Sequence, residues 1–208
     1  MNILIADDHA IVRKGLIQLL SEGFPGVTIF EALNSAEVMT QIRNNQLDVI
    51  LMDISMPGRN GIETLKQIRL EGIRTPVLML SMHPEDQYAL RSLKAGASGF
   101  INKESATTEL LAAVKKVIAG GKYISPSLAE KLADAVSDKN TLSGHENLSD
   151  REMEVLQQIA TGKTVSEIAD HLSLSVNTIS TYRTRLLEKL HLSNNAEITR
   201  FAIENNLV

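Results

Sequence analysis

Five polar residues stand where short apolar runs stop, and their types suit phosphoryl chemistry. Asp7 and Asp8 follow Asn2-Ile3-Leu4-Ile5-Ala6, and Asp53 follows Val49-Ile50-Leu51-Met52. Ser81 closes Pro76-Val77-Leu78-Met79-Leu80, and Lys103 follows Ser98-Gly99-Phe100-Ile101-Asn102. Clustered carboxylates repel unless a cation sits among them. A few hard oxygen ligands with room for water suit Mg2+. A hydroxyl and an ammonium add a donor and a point positive charge for phosphoryl oxygens. A carboxylate can be the nucleophile, giving an aspartyl phosphate. Asp53 takes that part because it stands alone on its strand end, opposite the acidic pair. Each residue also has a plainer use: an Asp pair caps a helix, and a lone Ser or Lys at a strand end is commonly solvated. The joint pattern outweighs these uses, because all five residues fall at strand ends.

The elements that must position them are legible from period and punctuation. Short Val, Ile and Leu runs bounded by turn residues read as buried parallel strands, and Val27–Phe30 adds one more. Pro57, Gly58, Asn60 and Gly61 end the strand that carries Asp53. Helical spacing runs from Ile11 through Leu20 to Gly23, and from about Ile62 through Ile68 to Gly72. Asn34 with Glu37 is a capping signal for a helix through Val38 and Ile42. Pro84 suits the first turn of a helix that carries Tyr88, Leu90 and Leu93 to Gly96. Leu110, Leu111, Val114, Val117 and Ile118 face one way on a helix closed by Gly120-Gly121. Strands and helices alternate five times in residues 1–121. This predicts an α/β domain, a five-stranded doubly wound parallel sheet covered on both faces. In such sheets ligands bind at the carboxyl ends of the strands, where the five polar residues fall.

The rest of the chain differs. Residues 122–146 are polar, with Ser, Gly and one short amphipathic piece at Leu128–Val136, and read as a linker. Residues 147–208 read as a small all-α domain. Ser149 with Glu152, and Thr164 with Glu167, are capping boxes. Two helices joined at Ser173-Leu174-Ser175 match a helix-turn-helix, whose second helix enters the DNA major groove. Its outward face carries Asn177, Ser180, Thr181, Thr184 and Arg185, side chains that can read base edges. Thr178, Tyr182, Arg183 and Lys189 are further candidates for contacts, chiefly to the phosphate backbone. The alternative is a solvated polar face on a helical protein-interaction domain. Charge does not decide between them: residues 147–208 hold six Lys and Arg against eight Asp and Glu, and the 208-residue chain carries a net −4. No Cys is present, which excludes disulfides and thiolate chemistry. No signal-peptide pattern or membrane-length apolar run stands out, so a soluble cytoplasmic protein without a membrane partner is expected.

Residues 1–120 resemble the receiver domain of bacterial response regulators. The resemblance rests on Asp7-Asp8, on Asp53 within Asp-x-x-Met-Pro-x-x-x-Gly, on Ser81, on the Ala95–Phe100 run Ala-Gly-Ala-x-Gly-Phe, and on Lys103. Glu104 stands where many receivers have Pro. Residues 147–208 are similar to LuxR-type DNA-binding domains in Leu148-Ser149-x-Arg151-Glu152-x-Glu154-Val155-Leu156, Glu167-Ile168-Ala169, Leu174-Ser175-x-x-Thr178-Ile179 and Leu187-x-Lys189-Leu190. Ser180 stands where a Lys is common. The two in this order resemble a NarL/FixJ-type response regulator. The resemblance implies that Asp53 takes a phosphoryl group from a histidine kinase. It implies Mg2+ held by Asp7, Asp8, Asp53 and the Ser55 backbone carbonyl. It implies catalytic support from Ser81 and Lys103, and a switch made by Ser81 and Phe100, for which a plain core aromatic is the lesser alternative. The chain is then a phosphoacceptor rather than a dedicated enzyme. Phosphorylation would promote a homodimer on an inverted repeat in double-stranded promoter DNA. The last helix, with Ile198, Phe201 and Ile203, is the expected pairing surface.

Overall fold

The computed structural model describes residues 1–82, 85–125, 128–130, 148–205, 207 and 208, and of residues 85–87 the backbone alone. The chain divides into two compact units, Met1–Ser137 and Asp138–Val208. The expected helix start at Pro84, the amphipathic piece beyond residue 130 and most of the expected linker lie outside the described residues.

In the first unit, strands and helices alternate in the expected order: β1 (Asn2–Ala6), α1 (Ala10–Gly23), β2 (Thr28–Ala32), α2 (Ser35–Asn44) and β3 (Val49–Asp53). Then come α3 (Gly61–Leu70), β4 (Val77–Ser81), α4 (Glu85–Lys94), β5 (Gly99–Asn102) and α5 (Ala106–Ile118). All strand pairs are parallel, in the order β2-β1-β3-β4-β5. β3 and β4 are buried along their whole length, as strands covered on both faces must be. Side chains alternate between the faces. Ile3, Ile5, Val49, Leu51, Leu78, Leu80 and Ile101 pack on one face against Leu16 and Leu20 of α1 and Leu110, Val114 and Val117 of α5. Helix starts are sealed by side chains. Asn34 accepts from the Glu37 N–H at 3.0 Å, and Asn60 accepts from the Glu63 N–H at 2.9 Å.

Register brings the polar ends level. Ala6 pairs with Met52, Asp53 with Leu80, and Ser81 with Asn102. The Asp7 N–H continues the ladder to Ala32 O at 3.1 Å, and the Lys103 N–H reaches Ser81 O at 2.8 Å. Two residues expected in the linker are docked on the sheet instead. The Tyr123 N–H donates to Ser98 O at 2.9 Å, and Tyr123 makes a parallel bridge with Gly99. Lys122 Nζ donates to Ala97 O at 2.5 Å, and the Tyr123 hydroxyl donates to Glu109 Oε2 at 2.9 Å. A Cβ on Gly99 would lie 2.5 Å from Tyr123 O, so only glycine lets the two backbones meet.

The second unit is helical among its described residues: α6 (Asp150–Ala160), α7 (Val165–Leu172), α8 (Val176–Leu190) and α9 (Asn195–Glu204). Both expected capping boxes are present, at Ser149/Glu152 and Thr164/Glu167. α7 ends at Ser173 with a left-handed φ of 54°, which turns the chain toward Ser175, the N-cap of α8. α6 packs against both α8 and α9. Met153, Leu156, Ile168, Ile179, Leu186, Ile198 and Ala202 are buried. No helix among the described residues is long and apolar enough to cross a membrane.

Candidate functional site

Asp7, Asp53, Ser81 and Lys103 meet in one crevice at the carboxyl edge of the sheet. Asp7 is fully buried, and Asp53 and Ser81 are each 1% exposed. Lys103 Nζ lies 2.7 Å from Asp7 Oδ2 and 2.9 Å from Asp53 Oδ2. These approaches are close enough for ion pairing, yet their angles leave both oxygens without a well-formed hydrogen bond. Asp8 stands at the rim, with its carboxylate turned toward the His9 ring at 2.9 Å. The loop after β3 folds back on itself. The Gly61 N–H bonds Ile54 O at 2.8 Å, and the backbone of Ser55 helps hold down the Asp53 carboxyl pKa.

The electrostatics follow from burial and neighbours. Desolvation raises the Asp53 pKa above the ordinary carboxylate range, Lys103 pulls it back, and Asp7 adds to the rise. Lys103 is desolvated too, which disfavours its charge. Asp53 and Asp7 more than offset this, and its pKa is raised. Ligand atoms of Asp7, Asp8, His9 and Asp53 all fall within 4.8 Å of one another. Two buried carboxylate oxygens without a formed hydrogen bond, and a third carboxylate at the rim, fit a small hard cation with remaining water ligands. Asp7, Asp8 and Asp53 would hold it.

The expected residues fare differently in detail. Phe100 is 1% exposed and pairs in register with Met79, so its ring lies inside the unit, not at the surface. Ser55 follows the end of β3 by two residues, beside the Asp53 carboxylate. His9 and Arg13 escaped the sequence reading. His9 follows the acidic pair directly, a position that could have flagged it. Arg13, a full turn into α1, carries no such signal.

In the second unit, Asn177, Ser180, Thr181, Thr184 and Arg185 are exposed along α8, as the period implied. Asn177, Thr178, Thr181, Tyr182 and Arg185 line one shallow concavity. Thr181 and Thr184 donate their hydroxyl protons to the carbonyls of Asn177 and Ser180, at 2.9 and 3.0 Å. Their oxygen lone pairs therefore face outward. Two basic residues are engaged at home. Arg183 Nε donates to Asn195 Oδ1 at 2.6 Å, and Lys189 Nζ donates to Glu152 Oε2 at 2.6 Å. Glu152 also accepts the Ser149 N–H, so Lys189 ties the far end of α8 to the capping box of α6.

The family model for the response regulator receiver domain matches residues 3–115, and that for the luxR family of bacterial regulatory proteins matches residues 146–202. The response regulator UvrY of Escherichia coli is 34% identical over 209 residues, covering 100% of this chain and 95% of UvrY. The transcriptional activator protein ExaE of Pseudomonas putida is 36% identical over 211 residues, covering 100% and 98%. Among solved structures, RcsB from Salmonella enterica serovar Typhimurium, bound to the promoter rprA with phosphomimetic BeF3−, matches with a TM-score of 0.64. Its identity is 27%, and 97% of each chain is covered. The chain belongs to the NarL/FixJ-type response regulators, a receiver domain followed by a LuxR-type DNA-binding domain.

Proposed function

We propose that Asp53 accepts a phosphoryl group from the phosphohistidine of a histidine kinase in the cytoplasm, and that this transfer controls transcription through dimeric DNA binding. One observation carries the reading: a single ammonium, Lys103, bridges two buried carboxylates of which one, Asp53, ends the central strand. An Asp53 carboxylate oxygen attacks phosphorus, the bond from phosphorus to the histidine nitrogen breaks, and its electron pair leaves with the imidazole. Mg2+ would supply positive charge to the phosphoryl oxygens, held by Asp7, Asp8, Asp53 and the Ser55 carbonyl. Lys103 sits where it neutralises a phosphoryl oxygen once the Asp53 charge has been covalently used. Ser81, on the neighbouring strand end, can donate its hydroxyl proton to another. Phe100, buried beside that strand, feels any movement of Ser81.

For the output, the α8 face offers Asn177, Ser180, Thr181, Thr184 and Arg185 to base edges, with Thr178 and Tyr182 beside them. Arg183 and Lys189 support α8 as well as any phosphate contact. A solved structure of two RcsB dimers bound to two parallel DNAs supports a dimer. Few free cations per domain make a lone half-site weak, and pairing adds the contacts of two. Ile203 of α9 is 61% exposed, whereas Ile198 is buried, so Ile203 is the apolar residue offered for pairing. The test is labelling by acetyl phosphate with Mg2+, followed by duplex binding against salt. Labelling of wild type and none of Asp53→Asn is expected, with a phosphorylation-dependent, salt-steep shift. Equal labelling of Asp53→Asn defeats the assignment. A chain that takes phosphate yet ignores duplex DNA passes the output to a protein partner.

A further inference from the structure

Asp7 is held on every side by this chain. Its N–H bonds Ala32 O at 3.1 Å, its Oδ1 accepts the His9 N–H at 2.8 Å, and its Oδ2 faces Lys103. The remaining group is its backbone carbonyl. Arg13 of α1 donates NH1 to that carbonyl at 2.9 Å, while its Nε donates to Glu31 Oε2 of β2 at 2.9 Å. The Arg13 side chain is only 13% exposed. The carbonyl of Asp7 and the N–H of Asp8 belong to one rigid peptide plane. Whatever fixes that carbonyl fixes the direction in which Asp8 leaves β1. Asp8 is held less firmly: its carboxylate, 35% exposed, has the His9 ring as its ion-pair partner among the described residues.

We propose that Arg13, oriented by Glu31, is a positioning residue for the cation site, setting the peptide that aims the Asp8 carboxylate. The inference rests on the reading of the crevice as a Mg2+-dependent phosphoacceptor. Arg13 touches neither cation nor phosphoryl group. It acts through the Asp7–Asp8 peptide, as outer partners of metal ligands do, where substitution commonly lowers affinity about 10- to 100-fold. Glu31 matters because Nε, tied to it, leaves NH1 aimed at the carbonyl. The guanidinium fork reaches both partners at once, which a lysine ammonium on a flexible stem does poorly.

The test uses the full chain and four variants: Arg13→Met, Arg13→Lys, Glu31→Gln and, as a reference, Asp8→Asn. Mg2+ affinity is measured by calorimetry, the Asp8 amide resonance is followed in metal-free protein, and melting is recorded without metal. Arg13→Met should weaken Mg2+ about tenfold and shift the Asp8 amide before any metal is added. Its phosphoryl uptake should be slow at low Mg2+ and recover at high Mg2+. Arg13→Lys should fall between Arg13→Met and wild type, and Glu31→Gln should move the same way by less. Mg2+ affinity within twofold of wild type in the Arg13 variants, with only melting lowered, overturns the proposal and leaves Arg13 a strut. Should Arg13→Met not fold, wild-type affinity in both Arg13→Lys and Glu31→Gln overturns it equally. A wild-type chain that binds no Mg2+, or Asp8→Asn that binds it as tightly, overturns the reading of the site itself.

Discussion

Gly61 is the residue whose smallest possible enlargement should damage the crevice most. It opens α3 with its N–H on Ile54 O, and a Cβ added there would lie 2.1 Å from Asp53 O and 2.9 Å from Asp53 C. A carbon–oxygen contact settles at about 3.3 Å, so the two backbones must part by about 1.2 Å. No side-chain rotation relieves this, because the obstructing atoms are backbone. Met79 Cε, at 3.0 Å, closes the other exit. Overpacking costs about 1–3 kcal/mol. Set against about 0.4–1 kcal/mol gained from a stiffer unfolded chain, Gly61→Ala should lose about 1–2 kcal/mol. At about 4 °C per kcal/mol for a unit of this size, melting should fall by about 4–8 °C. The displaced strand end carries Asp53 away from Lys103, and misplacement on the order of 1 Å commonly costs about 100-fold in rate. Gly15 is the matched control. It lies exposed in α1, and nothing stands within 4 Å of its added Cβ. Gly15→Ala should therefore gain about 0.5–1 kcal/mol and leave uptake unchanged. The assays are thermal denaturation and acetyl phosphate labelling. Gly61→Ala melting within 2 °C of wild type (about 0.5 kcal/mol), with uptake within about twofold, would refute the reasoning.

Other substitutions separate the remaining parts of the molecule. Lys103→Met leaves Asp53 and Asp7 facing each other without a cation, so the already raised Asp53 pKa should climb further. A carboxyl raised in the folded state stabilises only while protonated. The loss in denaturant midpoint should thus grow as pH rises from 5 to 8, and a loss independent of pH would count against the coupling. Arg185 is exposed, with no ion pair among the described residues, whereas Lys189 is spoken for by Glu152. Arg185→Ala should flatten the salt dependence of duplex binding by about one phosphate contact. Lys189→Met should lower the melting of the helical unit and flatten that slope by less than Arg185→Ala does; a slope loss as large as that of Arg185→Ala, with melting unchanged, would make Lys189 a DNA contact rather than a brace. Ile203→Glu should keep the fold, since the side chain is mostly in water, yet abolish dimeric binding in sedimentation with DNA; undiminished pairing would move the interface elsewhere.

Much of this architecture was legible because it depends on local pattern. A continuous apolar run such as Val49–Met52 can be buried only in the middle of a sheet. The residue that ends it, Asp53, then has nowhere to be but at the strand mouth. Capping at Asn34, Ser149 and Thr164 was equally readable, since it needs only residues three apart. What escaped depends on distance in the chain. Arg13 meets Glu31 and Asp7, and Lys189 meets Glu152, across contacts that no period encodes. The place of Lys189 on the helix suits a phosphate contact. Its commitment to the capping box of α6 exists only once the helices are packed. Phe100 is 1% exposed, and the neighbours its ring meets are set by packing that a sequence cannot name.

The short strap at Lys122–Tyr123 bears on how the receiver is cut for study. β5 is the last strand of the sheet, and Tyr123 covers part of its outer rim by bonding Ser98 O and bridging Gly99. A fragment ending at Gly121 would strip that cover and leave a bare strand edge, which recruits strands from other molecules. Such a fragment should self-associate with or without phosphate, and a fragment reaching Ser125 should not. A dimer seen only with the shorter fragment would report a raw edge created by the scissors, not a signal carried by Asp53.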